Sequence, residues 1–319
     1  MSTFGGSSSM HRRDFLQWAS VAAGSVLLAA GAPAGEQQPG KQLQLATNQY
    51  PWFTFYRREN RDFAASLDDS LREVAASGMD GFEPLVTDPA QLDALVPLLA
   101  RHNLQMRSLY VNSTLHLPDA AEKSIESVLA IAEKAKQAGT QIVVTNPNPV
   151  RWGSQDDKDD AQLRFQAAAL NTLGEKLAVL GLMLAYHNHD AELRNAAREF
   201  HHMMVGTDAR FVTLCLDAHW IYRGSGNSAV AVMDVARLYG PRIRELHLRQ
   251  SAGGIWTETF GDGDIDYADL AEYLAQIGAK PLVVLEQAVE KDTPKTLGAV
   301  EAHRRGGQYA RKIFASWAG

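Results

Sequence analysis

The chain has 319 residues, 45% of them hydrophobic and 21% charged, with a formal net charge of −6. These values suit one large soluble domain with a full core, and the absence of any lysine- or arginine-rich run argues against a nucleic-acid partner. The single cysteine, Cys215, excludes an intramolecular disulfide framework, and we expect it to be a small core residue because it lies inside an apolar run.

The first 34 residues resemble a twin-arginine signal peptide. They contain a paired arginine within His11–Gln17, an apolar stretch at Trp18–Ala30 and an A-x-A-type cleavage site at Ala32–Ala34. We therefore expect residues 1–34 to be removed after transient contact with the twin-arginine export machinery, and residues 35–41 to form a linker. The mature protein is then periplasmic, without stable membrane insertion, since the apolar stretch is short for a spanning helix of ~20 residues. A disordered or membrane-anchoring N-terminus is the alternative.

From residue 42 onward, strand and helix patterns alternate with little interruption. Eight apolar runs are predicted strands: Gln42–Ala46, Gly81–Leu85, Gln105–Tyr110, Gln141–Thr145, Met183–His187, Val212–Asp217, Ile243–Leu248 and Leu282–Glu286. Apolar residues at three- and four-residue intervals predict helices such as Ser66–Ser77, Gln91–Arg101, Ala120–Ala138 and Asp160–Leu180, with a last helical segment at Thr293–Trp317.

This alternation predicts a single (β/α)8 TIM barrel over residues 42–319. A doubly wound open sheet is the alternative architecture. It would need a glycine-rich nucleotide-binding turn after the first strand, and Leu45–Gln49 contains no glycine.

Four polar side chains end four of the predicted strands: His187, Asp217, His247 and Glu286. Their spacing is close to one βα unit of roughly 30 residues. The carboxyl ends of barrel strands form one rim, where active sites are built. Because two imidazoles and two carboxylates are a good ligand set for a divalent metal, we predict a metal site there.

Other polar and aromatic residues are predicted on the same rim. Side chains alternate along a strand, so His189 is expected to point the same way as His187. Arg249 is expected to position an anionic or hydroxyl-bearing substrate or to form a structural ion pair, and Glu83 to bind a substrate hydroxyl or orient a metal ligand. The candidate substrate-binding residues are Glu83, Asn188, Trp220, Arg249, Trp52, His116 and Trp256; loop packing is the alternative for the aromatic ones.

The segments YHNHDAEL, LCLDAHW, ELHLRQ and FGDGDIDYADLAEYLAQIGAKPLVVLEQ resemble successive strand motifs of the xylose isomerase-like TIM-barrel family. That family includes sugar isomerases, ketose 3-epimerases and inosose dehydratases, and the resemblance extends over residues 42–315. It implies Asp217, His247 and Glu286 as metal ligands. Many family epimerases carry glutamate where this chain has His187. This departure leaves Glu286 as the ligand carboxylate able to act as a base, with His189 as a second proton carrier.

These observations predict a sugar isomerase or epimerase that acts on a free sugar or keto-sugar through an enediolate. One divalent ion is expected as Lewis acid, with Mn²⁺ as first choice and Mg²⁺, Co²⁺, Fe²⁺ or Zn²⁺ as alternatives. A lyase or dehydratase acting on an oxidised sugar or glycoside shares the same early chemistry. A non-catalytic sugar-binding barrel is the alternative from another class, and an apurinic-site endonuclease would need a basic groove. A homo-oligomer is compatible with the sequence.

Overall fold

The computed structural model describes residues 43–318, which form eight parallel strands with helices between them. The strands are β1 Leu45–Asn48, β2 Gly81–Glu83, β3 Ser108–Tyr110, β4 Ile142–Thr145, β5 Met183–His187, β6 Val212–Asp217, β7 Ile243–Leu248 and β8 Leu282–Leu285. The predicted TIM barrel is confirmed. The predicted signal peptide lies outside the described residues.

The strand order around the sheet is β2-β1-β8-β7-β6-β5-β4-β3. Every pair of chain neighbours is therefore adjacent except β2 and β3, and β1 also pairs with β8. Isolated parallel bridges join Gly81 to Gln105 and Leu85 to Tyr110, between the β2 and β3 regions. Pro84 ends β2 after Glu83, because proline has no backbone N–H to donate to a ladder. The barrel is therefore nearly closed, with its least regular pairing between β2 and β3.

The strands that carry most of the predicted ligands were predicted best. β5, β6 and β7 have the predicted bounds, whereas β1 begins three residues later than expected and extends to Asn48. Asn48 accepts a hydrogen bond at 2.7 Å from the backbone N–H of Tyr50, and so it ends the strand and caps a helix at once. This direct strand-to-helix junction has no separate turn residues that a sequence pattern would show.

The described residues contain ten α-helices around the barrel: α1 Gln49–Arg58, α2 Leu67–Ala76, α3 Gln91–Arg101, α4 Pro118–Lys136, α5 Asp160–Val179, α6 Arg194–Gly206, α7 Ala218–Gly224, α8 Ala229–Tyr239, α9 Tyr267–Gln276 and α10 Ala299–Ile313. The predicted last segment is shorter than expected, with α10 followed by a 3₁₀ turn at Ala315–Trp317. In α6, Asn195–Ala197 have φ between 52° and 59°, so the regular right-handed helix starts after them. Within residues 43–318, no helix combines the length and apolar character needed to cross a membrane.

The inside of the barrel has an apolar floor and a polar upper part. Tyr110, Ile142, Val144, Ala185 and Cys215 pack together as a small buried cluster, which places the cysteine in the core as expected. Side chains two positions further along several strands face the same interior, since strand residues alternate between the two faces of a sheet. The barrel thus supports a buried polar site directly above its apolar floor.

Candidate metal centre and active-site cavity

Four residues at or next to the carboxyl ends of β5, β6, β7 and β8 converge inside the barrel. One potential ligand atom from each of His187, Asp217, His247 and Glu286 lies within 4.8 Å of the other three. His247 Nδ1 lies 2.8 Å from Glu286 Oε2, while His187 Nε2 lies 3.8 Å from the same oxygen and 3.9 Å from Asp217 Oδ2. Parallel register brings these residues together, because Asp217 pairs with His247 across β6 and β7.

Asp217 has one carboxylate oxygen fixed and the other free. Its Oδ1 accepts a hydrogen bond of 2.9 Å from the backbone N–H of Trp220 and so caps α7. Its backbone N–H and C=O pair with the side-chain amide of Asn188, which therefore joins β5 to β6. These contacts hold Asp217 at one place and leave Oδ2 pointing toward the other candidate ligands.

The donor set fits a bound divalent cation. Among residues 43–318, neither ring nitrogen of His187 has a hydrogen-bond partner, and Asp217 Oδ2 has none either, although all three atoms are buried. Leaving buried polar atoms unpaired is costly, and native structures rarely do so without an ion or water nearby. Two nitrogen and two oxygen donors at these separations match a metal centre better than they match a hydrogen-bonded core.

A second buried polar group lies directly behind His247. Its Nε2 is 3.0 Å from Glu245 Oε1 and 3.2 Å from Glu83 Oε1. Glu83 in turn accepts hydrogen bonds of 2.6 Å from Asn48 Nδ2 and 2.8 Å from Ser108 Oγ. Glu83 is fully buried, and so its contact is with the imidazole of a candidate ligand and not with the cavity.

Arg249 is held between two indoles beside the candidate metal centre. Its guanidinium carbon lies 4.3 Å from the Trp256 ring centroid and 5.1 Å from that of Trp220, in cation–π contact. Its Nη2 is 3.1 Å from Glu286 Oε1, and its Nε donates to the Glu286 carbonyl at 3.0 Å. Arg249 therefore forms the ion pair that the sequence left as one of two options. It also lines the cavity.

An open cavity of about 360 Å³ lies above these residues. Its lining residues come from several strand ends and the loops that follow them: Asn48, Tyr50, Leu85, Tyr110, Asn112, Trp152, His189, Asp190, Trp220, Arg249 and Glu286. This volume is in the range of small-molecule sites, and its walls combine aromatic rings with a few polar groups, as such sites do.

His189 lies on the cavity wall between two tryptophans. Its ring centroid is 5.4 Å from that of Trp152 and 5.5 Å from that of Trp220. The ring also lies 4.9 Å from His187, as the predicted alternation requires. Its Nδ1 has no hydrogen-bond partner in the described part of the chain, and so this nitrogen is available to a ligand.

Several candidate substrate-binding residues do not line the cavity. Trp52 is fully buried, stacks on His303 at 4.2 Å between ring centroids and donates its indole N–H to Thr47 Oγ1 at 3.2 Å. His116 is buried, and Trp256 lies behind Arg249. The structure therefore brings Trp220, Arg249, His189 and Glu286 to the cavity, while Trp52, His116, Asn188 and Glu83 have packing or supporting contacts.

Three cavity or supporting residues were missed by the sequence reasoning. Tyr110 ends β3, where its ring meets His187 edge-to-face at 5.3 Å, and Trp152 lies in the loop after β4. Glu245 precedes His247 by two residues on β7. Because strand side chains alternate between the two faces, the sequence already indicated that both residues face the same side. Trp152 had no such signal, because its place depends on the path of an irregular loop.

Burial and neighbouring charges separate the acid–base properties of the site. Burial opposes ionisation of Glu286, but Arg249 and His247 outweigh it and hold the pKa of Glu286 well below its ordinary value. Burial raises the pKa of Asp217 despite the opposing charge of Arg249. Burial, reinforced by His187, lowers the pKa of His189 well below its ordinary value. The site thus pairs an ionised Glu286 with a neutral imidazole.

Comparison with known proteins identifies the family. The xylose isomerase-like TIM barrel family matches residues 71–309, which is most of the chain. This chain belongs to the xylose isomerase-like TIM barrel family. Within this family it is similar to an inosose dehydratase from Clostridium botulinum, with 22% identity over 275 residues that cover 77% of this chain and 89% of that protein.

Several solved structures share this xylose isomerase-like fold. A 3-keto-D-glucoside 4-epimerase from E. coli aligns with a TM-score of 0.62 and 15% identity, covering 85% of this chain and 100% of the other. A Mycobacterium smegmatis xylose isomerase-like TIM barrel protein in complex with magnesium gives 0.65 and 14%, covering 87% and 98%. The IOLI protein with a bound zinc atom gives 0.63 and 17%, covering 86% and 99%. These similarities show the shared fold.

Proposed function

We propose that this protein is a divalent-metal-dependent sugar isomerase or epimerase that acts on a free sugar or keto-sugar through an enediolate. The observation that supports this most strongly is the convergence of His187, Asp217, His247 and Glu286, with unpaired buried donor atoms, at the floor of an aromatic-walled cavity. Function is argued from this site, because the barrel fold alone serves many unrelated reactions.

These four residues would hold the proposed ion. When bound, a divalent metal supplies Lewis-acid polarisation of a carbonyl and stabilises negative charge on an adjacent oxygen. Two imidazole donors favour Mn²⁺, Co²⁺, Fe²⁺ or Zn²⁺ over Mg²⁺, which prefers oxygen ligands. We keep Mn²⁺ as the first ion to test and Zn²⁺ as the second, since a protein of this fold binds zinc.

Two groups that line the cavity are placed to move protons. Glu286 follows β8 and His189 follows β5, with β6 and β7 between those strands, and both side chains line the cavity. Contacts to Arg249 and His247 orient the two carboxylate oxygens of Glu286. We propose that the ionised Glu286 removes the proton next to the substrate carbonyl, and that His189, after taking up a proton from solvent, returns one from the opposite side.

The remaining cavity residues would bind and orient the sugar. Arg249 Nη2 forms the ion pair with Glu286, whereas Nη1 has no hydrogen-bond partner within residues 43–318 and can donate to a substrate hydroxyl or an oxyanion. Trp220 and the half-exposed Trp152 line the walls and offer flat apolar surfaces for the C–H face of a sugar ring. Tyr110 closes the wall beside His187.

A dehydratase or lyase reaction on an oxidised sugar or glycoside is the second candidate. The observation in its favour is the chemical difference between the two proton-handling groups, a carboxylate and an imidazole. In such a pair the ionised carboxylate can remove a proton, and the imidazole, once it has taken up a proton from solvent, can pass it to the leaving oxygen. The inosose dehydratase relatives by sequence support the same candidate.

Solvent-deuterium exchange distinguishes these functions. The metal-loaded protein is incubated in D₂O with a panel of ketohexoses, 3-keto-glucosides and inososes, and the products are followed by NMR. Deuterium next to the carbonyl together with a new stereoisomer or ketose–aldose pair supports the isomerase, and an unsaturated product with loss of water or aglycone supports the second candidate. Saturable binding without exchange, unchanged by chelator, would contradict both and leave a sugar-binding barrel. His189→Gln tests the proposed proton carrier in the same assay, and His102→Gln, a histidine variant in the α3 region away from the cavity, is its control.

We also propose that the mature protein is periplasmic, a hypothesis carried by the paired arginines Arg12 and Arg13. Lysine at both positions should block twin-arginine export and retain the protein inside the cell. Cell fractionation of both forms measures this directly. Equal recovery of both in the periplasm would contradict the twin-arginine route.

A further inference from the structure

We propose that Glu83 and Glu245 are positioning residues that fix the tautomer of His247. They hold its Nε2 as the N–H group and thereby leave the lone pair of Nδ1 beside Glu286 for a metal ion. This inference rests on the metal-binding part of the proposed function. It concerns residues that lie beneath the candidate ligands and do not line the cavity.

The geometry separates the two nitrogens of the His247 ring. Nε2 faces two carboxylate oxygens, at 3.0 Å from Glu245 Oε1 and 3.2 Å from Glu83 Oε1. Nδ1 faces the candidate metal centre, at 2.8 Å from Glu286 Oε2. All three neighbours are carboxylates. The Glu286 side also includes the unpaired buried atoms of His187 and Asp217, whereas on the other side Glu245 Oε2 is the atom without a partner among residues 43–318.

Nε2 is held as the N–H group, because a lone pair on it would face the lone pairs of Glu83 Oε1. A bound metal would displace the proton from the other nitrogen, Nδ1, and take its lone pair. A carboxylate that accepts a hydrogen bond from the far side of a ligand histidine also orients the ring and makes it a stronger donor. The arrangement around His247 has both of these features.

The carboxylate pair is itself anchored from two other strands. Glu83 Oε1 accepts a hydrogen bond from Asn48 at the end of β1, and Oε2 accepts one from Ser108 on β3. Glu245 lies on the same strand as His247, two residues earlier, and both are fully buried. His247 is therefore positioned partly by Glu83, which lies where β2 and β3 are joined by isolated bridges and not by a regular ladder.

A different role for this cluster makes a distinct prediction. One atom each from Glu83, Glu245 and His247 lies within 4.8 Å of the others, which would also be close enough for a second ion bound directly by both carboxylates. That arrangement needs the Nε2 lone pair, the opposite tautomer. It also competes with the two hydrogen bonds that Glu83 already accepts, and so we favour the positioning role.

Zinc titration against a chromophoric chelator tests the inference on the metal-free full chain. We expect Glu245→Gln and Glu83→Gln each to weaken zinc binding about 10- to 100-fold, the usual effect of losing such a partner of a ligand histidine. Glu258→Gln is the matched control, because Glu258 is a buried carboxylate that pairs with Arg58 and Thr296 and has no contact with the site. It should bind zinc like the wild type. Using two glutamate variants keeps the test decisive if one fails to fold.

Nitrogen-15 NMR of the zinc-loaded wild type reads the tautomer itself, with His247→Gln used for assignment. We expect a proton on Nε2 that exchanges slowly with water. A proton on Nδ1, zinc affinities of both glutamate variants close to that of the wild type, or a second zinc per chain that is lost in Glu83→Gln would each overturn the inference. A wild type that binds no zinc or other divalent ion would instead overturn the proposed function.

Discussion

Two buried histidines of this barrel differ in the direction in which their surroundings shift the pKa. His247 lies among carboxylates at the top of the barrel interior, and His303 stacks on Trp52 between α1 and α10. Burial opposes a charge on both rings. For His247, Glu83 and Glu286 outweigh burial and raise its pKa well above the ordinary value, whereas for His303 burial lowers the pKa to about 4. Burial alone therefore does not mark a functional histidine; its carboxylate partners do.

Removing the charge of Glu286, which lies beside His247, should have the largest effect on activity. Glu286→Gln keeps the shape of the side chain but removes a candidate base and metal ligand, and so we expect kcat to fall by about 10²- to 10⁴-fold. The deuterium-exchange rate on a responsive keto-sugar measures this, with circular dichroism to confirm that the variant is folded. A rate close to that of the wild type would contradict the assigned role.

Truncating Trp52, which stacks on His303, should lower stability and leave the candidate metal centre unchanged. Trp52→Ala removes a fully buried indole, and we expect the free energy of unfolding to drop by about 3–5 kcal/mol. Metal content per folded chain should not change. Urea unfolding together with elemental analysis separates the two effects. An altered KM with unaltered stability would instead return Trp52 to the substrate site.

The His303 environment also predicts a pH effect with a definite sign. The unfolded chain binds a proton at His303 near the ordinary pKa of 6.5, and the folded chain binds it only near 4. The folded state therefore loses stability as pH falls between these values, by up to about 3 kcal/mol from this group. His303→Phe keeps a ring against Trp52 and should flatten this part of the stability–pH curve. Parallel curves for variant and wild type would contradict the assignment.

The smallest effect is expected at a third buried histidine. His116 does not line the cavity, and burial, reinforced by Lys158, lowers its pKa below the ordinary value. His116→Gln should leave kcat and KM unchanged and cost about 1 kcal/mol of stability, the usual scale for a single substitution. Steady-state kinetics on the same keto-sugar decides this. A selective rise in KM would show that His116 reaches the substrate.

The sequence predicted the ligand-bearing strands and their convergence because both follow from strand periodicity. β5 and β6 end at His187 and Asp217, His247 is the last residue but one of β7, and parallel βα repeats bring such ends to one rim. The same reasoning misplaced Trp52, because α1 follows β1 without a loop and turns this indole into the core.

Loop geometry explains most of the remaining differences. Asn188 lies next to His187 but faces the backbone of Asp217, and Trp152 reaches His189 from a loop that has no sequence period. Glu83 and Glu245 were within reach of a parity argument, but their shared contact with His247 depends on the curvature of the barrel. Such contacts between distant strands require the three-dimensional arrangement.

Elemental analysis of the purified protein tests the central claim most directly, with wild type measured beside His187→Ala and Glu286→Ala. The metal centre assigned to His187, Asp217, His247 and Glu286 predicts about one divalent ion per wild-type chain and a clear loss of that ion in both variants. Wild-type protein that contains no such ion and takes up none on incubation with Mn²⁺, Co²⁺ or Zn²⁺ would contradict it.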